Sequence, residues 1–295
     1  VPIVDIDLPG YRRGRRLNPR RPGERRLSEL PIPGANQPPI GQPAVDHLDG
    51  DQIHLAVRLA DGAEVAVRVY AHPVRADRDL MRFEQEAVAL KAIVGDPHVV
   101  GLEEIGVTPA GYAYLVMEHC VAGSVQDHLR AVGRYSPAEV RLVAAKLAAA
   151  LAAAHRRDII HRAVKPANVL INNAGEPVLS DFRLVSLGTA GRDFMPPARS
   201  VQPPFTAPEA YLPELMTPAS DIYSLGATMY AMLAGWPPRA VDPRAVAIDA
   251  DTLADLPRVP WTVMELIRTA MAHDPADRFT DADQFRAALL TADPG

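Results

Sequence analysis

The sequence predicts an α+β chain in two lobes, a small β-rich N-terminal lobe and a larger α-helical C-terminal one. Three observations carry this. Strand-like runs with one helical stretch among them fill residues 45–119. A connector follows at Glu118 to Gly123. Beyond it the apolar spacing is mainly helical. At 295 residues and 48% hydrophobic content, the chain can bury cores in both lobes.

Residues 1–44 are rich in Pro, Gly and Arg, have no period of 2 or 3.6, and read as an arm or unstructured linker. Before Leu27, Arg12, Arg13, Arg15, Arg16, Arg20, Arg21, Arg25 and Arg26 face only Asp5, Asp7 and Glu24. The overall charge of −5 therefore hides about +5 before Leu27 and about −10 in the remainder. The segment from Arg12 to Arg26 suits an anionic surface, such as lipid, nucleic acid or the acidic remainder of the chain. Tyr11 alone interleaves an aromatic with these arginines, so nucleic acid is the least favoured partner.

In the N-terminal lobe (45–119), Ile53 to Leu59 and Glu64 to Tyr70 read as strands joined by Ala60-Asp61-Gly62-Ala63, a hairpin signal. Asp79 to Ile93 has helical spacing at Leu80, Phe83, Ala87 and Leu90. Val99 to Ile105 and Tyr112 to Met117 complete the lobe, with a turn at Pro109-Ala110-Gly111. In the C-terminal lobe (120–295), Ser136-Pro137-Ala138-Glu139 is a capping-box helix start with Pro at the first helical position. The Ala/Leu-rich helix after it runs to about Arg156 and is apolar nearly all round, which predicts burial. Further helices are expected at Ser220 to Leu233, Trp261 to Met271 and Ala282 to Leu290.

A single cysteine, Cys120, excludes an internal disulfide and fits a reducing cytoplasm. No apolar run has membrane-spanning length and no signal peptide is recognisable. The chain begins at Val1 without Met, so it is expected to be a piece of something longer. Such a piece is cytoplasmic, or the soluble part of a membrane-attached protein. Abundant Ala, Arg and Pro suggest a GC-rich bacterial source.

Residues 159–184 read IIHRAVKPANVLINNAGEPVLSDFRL: a basic loop, two short strand-like runs around Asn173-Ala174-Gly175, and an acidic loop. Other stretches fall around it in a fixed order. They are Val65-Ala66-Val67-Arg68, Phe83-Glu84-Gln85-Glu86-Ala87, Leu115-Val116-Met117-Glu118 and Thr206-Ala207-Pro208-Glu209. Asp221-Ile222-Tyr223-Ser224-Leu225-Gly226 and Asp274-Pro275-Ala276-Asp277-Arg278-Phe279 complete the series. Over residues 45–290 the set resembles the bacterial, eukaryotic-like (Hanks-type) Ser/Thr protein kinases, as a degenerate member. The resemblance implies the bilobal protein-kinase-like fold. It also implies a buried Glu209–Arg278 ion pair, and an Asp221 carboxylate binding the backbone at His161 and Arg162. Leu90, Leu102, His161 and Phe182 would stack as a hydrophobic column between the lobes.

Of the chemical parts, the resemblance assigns Lys165 to a phosphate contact, Asn168 and Asp181 to metal ligation, and Glu86 to pairing with residue 68. Ala66, Glu118, Cys120 and Leu170 would meet an adenine. The departures are mutually consistent. Counting back from Ile53 puts the three glycines of the phosphate-covering loop at Asp46, Leu48 and Asp51. Arg68 stands for the phosphate-binding Lys, Ala163 for the catalytic Asp, Arg183 for the Gly after Asp181-Phe182, and Gln202 for a Thr of the activation segment. The expectation is a pseudokinase, a signalling scaffold or allosteric regulator with little or no phosphoryl transfer and no cofactor. Its activation segment would offer Ser186, Thr189, Ser200 and Thr206 to a true kinase or a phospho-binding module. Two alternatives use Mg-ATP. One is a Ser/Thr protein kinase that is unusual or was inactivated by substitution at Ala163; the other is a nucleotide sensor without catalysis.

Overall fold

Alternation along residues 64–73 builds the centre of the N-terminal lobe. Val65, Val67 and Val69 are buried on one face of this strand, while Ala66, Arg68 and Tyr70 occupy the other. In the computed structural model, which describes residues 8–17, 52–74, 77–182, 204–211, 216–238, 256 and 259–292, it is β3 (Glu64–Pro73) of a five-stranded antiparallel sheet. The sheet order is β1-β2-β3-β5-β4, with β1 at Tyr11–Arg16, β2 at Gln52–Arg58, β4 at Leu102–Val107 and β5 at Tyr112–Glu118. The β2–β3 turn places Gly62 at φ 76°, which L side chains rarely adopt. Helix α1 (Asp77–Lys91) packs Phe83, Ala87 and Leu90 into the core.

One expectation is corrected here. Tyr11–Arg16 belong not to an irregular arm but to the sheet, paired with β2 from Tyr11 opposite Arg58 to Arg16 opposite His54. Leu8 and Tyr11 pack onto the face formed by Ala56, Val65, Val67, Val69 and Val116. The Tyr11 hydroxyl also donates to Glu104 Oε2 on β4 at 2.9 Å. Gly14 lets the strands approach, because a Cβ there would lie 2.8 Å from the Leu55 carbonyl oxygen. The β1–β2 connection is therefore residues 17–51, far longer than a hairpin turn.

Strand β4 begins at Leu102 rather than Val99, because the preceding residues bond to the other lobe. Val100 N–H donates to the Leu179 carbonyl at 2.9 Å, and Leu179 N–H to that of His98 at 2.8 Å. In the helical lobe, α2 (Val125–Val132) starts from a Ser124–Asp127 capping box that the sequence reading did not pick out. Helix α3 (Pro137–His155) starts from the expected Ser136–Glu139 box. The short pair β6 (Val169–Ile171) and β7 (Pro177–Leu179) carries the central loops. Helix α4 (Pro218–Ala234) is buried along nearly its whole length, and α5 (Trp261–Ala270) and α6 (Ala282–Thr291) close the lobe.

Candidate active site

The loops on either side of β6 and β7 are held by one buried carboxylate. Asp221, at the start of α4 and 1% exposed, accepts the backbone N–H of His161 at 2.8 Å and of Arg162 at 2.9 Å. It is also 2.9 Å from His155 Nε2 at the end of α3. His155 was not singled out from sequence, since a histidine ending an apolar helix gives no local signal of a partner 66 residues away. Arg162 sits at φ 64°, outside the usual region for a side-chain-bearing residue, and the two Asp221 bonds hold that conformation.

His161 is fully buried and links the two loops. Its Nδ1 accepts the N–H of Ala163 at 3.2 Å, so the ring proton lies on Nε2, which donates to the Ser180 carbonyl at 3.0 Å. Its ring lies 4.4 Å from that of Phe182, and Leu90 and Leu102 join the same core. Of the four expected column residues, His161 and Phe182 are in ring contact, and Leu90, Leu102 and Phe182 share one apolar core.

Ala163 presents only a methyl group. Its carbonyl accepts Asn168 Nδ2 at 2.7 Å, which leaves the Asn168 amide oxygen as that side chain's acceptor. Lys165 is half-buried just before the 3₁₀ turn Pro166–Asn168. Ser180 N–H and Oγ both donate to the Asn168 carbonyl, at 2.9 and 3.0 Å. Asp181 follows at φ 67°, with Arg68 of β3 as an ion-pair partner. Glu86, the partner that the resemblance implies for Arg68, is half-buried on α1; the Asp181 contact is one the sequence did not point to. The Arg68 guanidinium also lies 4.7 Å from the Tyr70 ring centre.

Next to this, Cys120 and Leu170 meet at a small cluster with Val100 and Val178. Ala66 lies opposite Met117, which packs against the same cluster. Burial, with help from the nearby Glu118 charge, pushes the Cys120 thiol up to about 12. The Glu118 carboxylate accepts Asn173 N–H at 3.3 Å. In the lower lobe Arg278 grips Glu209 through two hydrogen bonds, at 2.7 and 2.9 Å, and donates to the carbonyls of Ala219, Ala272 and His273. Thr206 is half-buried just before the 3₁₀ turn Pro208–Tyr211. Asp46, Leu48, Asp51, Arg183, Ser186, Thr189, Ser200 and Gln202 lie outside the described residues.

A model of the protein kinase domain matches residues 50–290. The chain belongs to the protein kinase family. Over 223 residues it is 37% identical to the serine/threonine-protein kinase PknK of Mycobacterium bovis, covering 72% of this chain and 20% of PknK. It is 34% identical to PknL of Mycobacterium tuberculosis over 71% of this chain and 54% of that protein. It is 27% identical to PrkC of Bacillus subtilis over 81% of this chain and 38% of that protein. The chain thus spans a fifth to about half of these relatives' lengths. No helix among the described residues is long and apolar enough to cross a membrane.

Kinases of this family bridge the transferred phosphate to the fold with magnesium, held by the Asn and Asp at the places of Asn168 and Asp181. Asn168 fits, with its amide oxygen available as a hard ligand. Asp181 does not fit as arranged, because its carboxylate is in contact with the Arg68 guanidinium and a dication would have to displace that charge.

Proposed function

We propose that this chain is a kinase-fold domain that works by binding, as a signalling scaffold or allosteric regulator, with little or no phosphoryl transfer. The observation that carries the reading is Ala163. The family's general base stands there, and a methyl group neither orients a substrate hydroxyl nor accepts its proton. Loss of a positioned base costs about 10²- to 10⁴-fold in rate. The Arg68–Asp181 pair adds to it by engaging the metal-binding carboxylate.

A second reading, a Ser/Thr protein kinase transferring phosphate from Mg-ATP, is supported at least as well by the names of the relatives. The presence of Lys165, Asn168 and Asp181 also favours it. One experiment separates the two: ³²P transfer from Mg-ATP to a generic acceptor and to the chain itself, in the native protein and in Ala163→Asp. The non-catalytic reading expects no transfer in either. Transfer by the native protein establishes the kinase, and transfer by Ala163→Asp alone shows a site lacking only its base. A melting shift with Mg-ATP and no transfer would indicate a nucleotide sensor.

As partners we propose a true kinase or phospho-binding module acting at the activation segment, including Thr206. For the basic segment we propose an anionic surface. Arg12, Arg13 and Arg15 are exposed on β1, which is an edge strand. Because β1 is part of the sheet, the test is Arg12→Gln/Arg13→Gln/Arg15→Gln against anionic vesicles rather than truncation. Unchanged binding retires the idea.

A further inference from the structure

The contact that engages the Asp181 carboxylate also joins the two lobes. We propose that the Arg68–Asp181 ion pair is an interlobe latch that takes the place of the metal–nucleotide bridge, so that the lobes stay docked without nucleotide. The inference rests on the non-catalytic reading above.

Each end is positioned before the two meet. Arg68 lies on the middle strand of the sheet, opposite Ile53 of β2 on one side and Leu115 of β5 on the other, with its guanidinium against the Tyr70 ring. Asp181 is bracketed by two anchored neighbours. Ser180 is bonded through N–H, Oγ and carbonyl to Asn168 and His161, and Phe182 packs on the His161 ring. The left-handed backbone at Asp181, φ 67°, is therefore held from both sides. With both ends fixed, forming the pair orders little that is not already ordered. The side chains are 11% and 19% exposed, so bulk solvent screens them weakly.

The residue type fits the role. In the family, a Lys on β3 and the metal-bound Asp meet through phosphate and magnesium. A guanidinium is larger than an ammonium, always charged, and matched in shape to a carboxylate, so it closes the gap directly. The latch adds a side-chain attachment to the backbone bonds that tie His98 and Val100 to Leu179. Magnesium nucleotide enters this site only by breaking it.

The test is a double-mutant cycle on the full chain with Arg68→Met, Asp181→Asn and the two combined, read by thermal melting. A second arm adds Mg-ADP to the native protein. The latch predicts that each single substitution lowers the melting temperature by roughly 5 °C. The combined variant melts no lower than the weaker single, and Mg-ADP produces no shift in the native protein. Additive losses, or a Mg-ADP shift in the native protein, overturn it. Should Arg68→Met fail to fold, Arg68→Lys completes the same cycle, with the same two outcomes. The ³²P assay reports separately on the non-catalytic reading, so transfer there and additivity here are distinct failures.

Discussion

At the scale of single residues, the strongest constraint in the helical lobe is Arg278. Its side chain is 0% exposed, its donors reach three backbone carbonyls and both Glu209 oxygens, and its guanidinium lies 5.0 Å from the Tyr223 ring centre. Removing one partner leaves a buried charge uncompensated, so Arg278→Ala is expected to cost about 3–5 kcal/mol in urea denaturation. Arg278→Lys should rescue only a minor part, since one ammonium cannot replace a fork with five donors. The same pair sets a pH dependence. Burial alone would raise the Glu209 carboxyl, but hydrogen bonds from Arg278 and Ser220 outweigh it and hold the group below its ordinary 4.5. A lowered folded value means stability that is present above about pH 4.5 and lost as pH falls through the folded value. Denaturation midpoints should therefore fall below that pH in the native protein and fall less in Glu209→Gln. Cys120, buried and with its thiol pushed up to about 12, should resist iodoacetamide at neutral pH until the chain is unfolded. The identities of Glu209, Arg278 and Asp221 were legible because each lies in a short stretch of distinctive residues. The Arg68–Asp181 contact was not, since it depends on where two lobes place their loops.

At the scale of elements, the capping box of α3 was readable because its chemistry is local: Ser136 and Glu139 bond each other's backbone N–H within one turn. Strand β1 was not readable. Its sequence, YRRGRR, lacks the apolar alternation that marks a strand, and what holds it is distant. Glu104 accepts both the Tyr11 hydroxyl and the Tyr114 hydroxyl, joining the first strand to β4 and β5. Burial and the Glu104 hydrogen bond raise Tyr11 to about 12. Tyr11→Phe should destabilise by about 1 kcal/mol in urea. Deleting residues 1–17 should cost more, because it also uncovers Ala56, Val65 and Val116. Helix α4 approaches α5 so closely that a Cβ on Gly226 would lie 2.8 Å from the Ala270 Cβ. Gly226→Ala should therefore lower the melting temperature despite its better helix propensity.

At the scale of the whole molecule, the lobes meet through backbone bonds at Leu179, the apolar core that Leu90, Leu102 and Phe182 share, and the Arg68–Asp181 pair. Leu179 belongs to both the strand pair and the core and is fully buried. Leu179→Ala should cost about 2–5 kcal/mol in urea denaturation, the range for a buried Leu truncated to Ala. By itself the sequence determined the lobe order, the hairpin at Gly62, the α3 cap at Ser136 and the absence of a base at Ala163. These depend on residue identity and on contacts within a few positions. Only the tertiary structure decided that Tyr11–Arg16 complete the sheet and that Arg68 meets Asp181. Those outcomes depend on charges and hydroxyls brought together across about a hundred residues of chain, where local propensity carries no information.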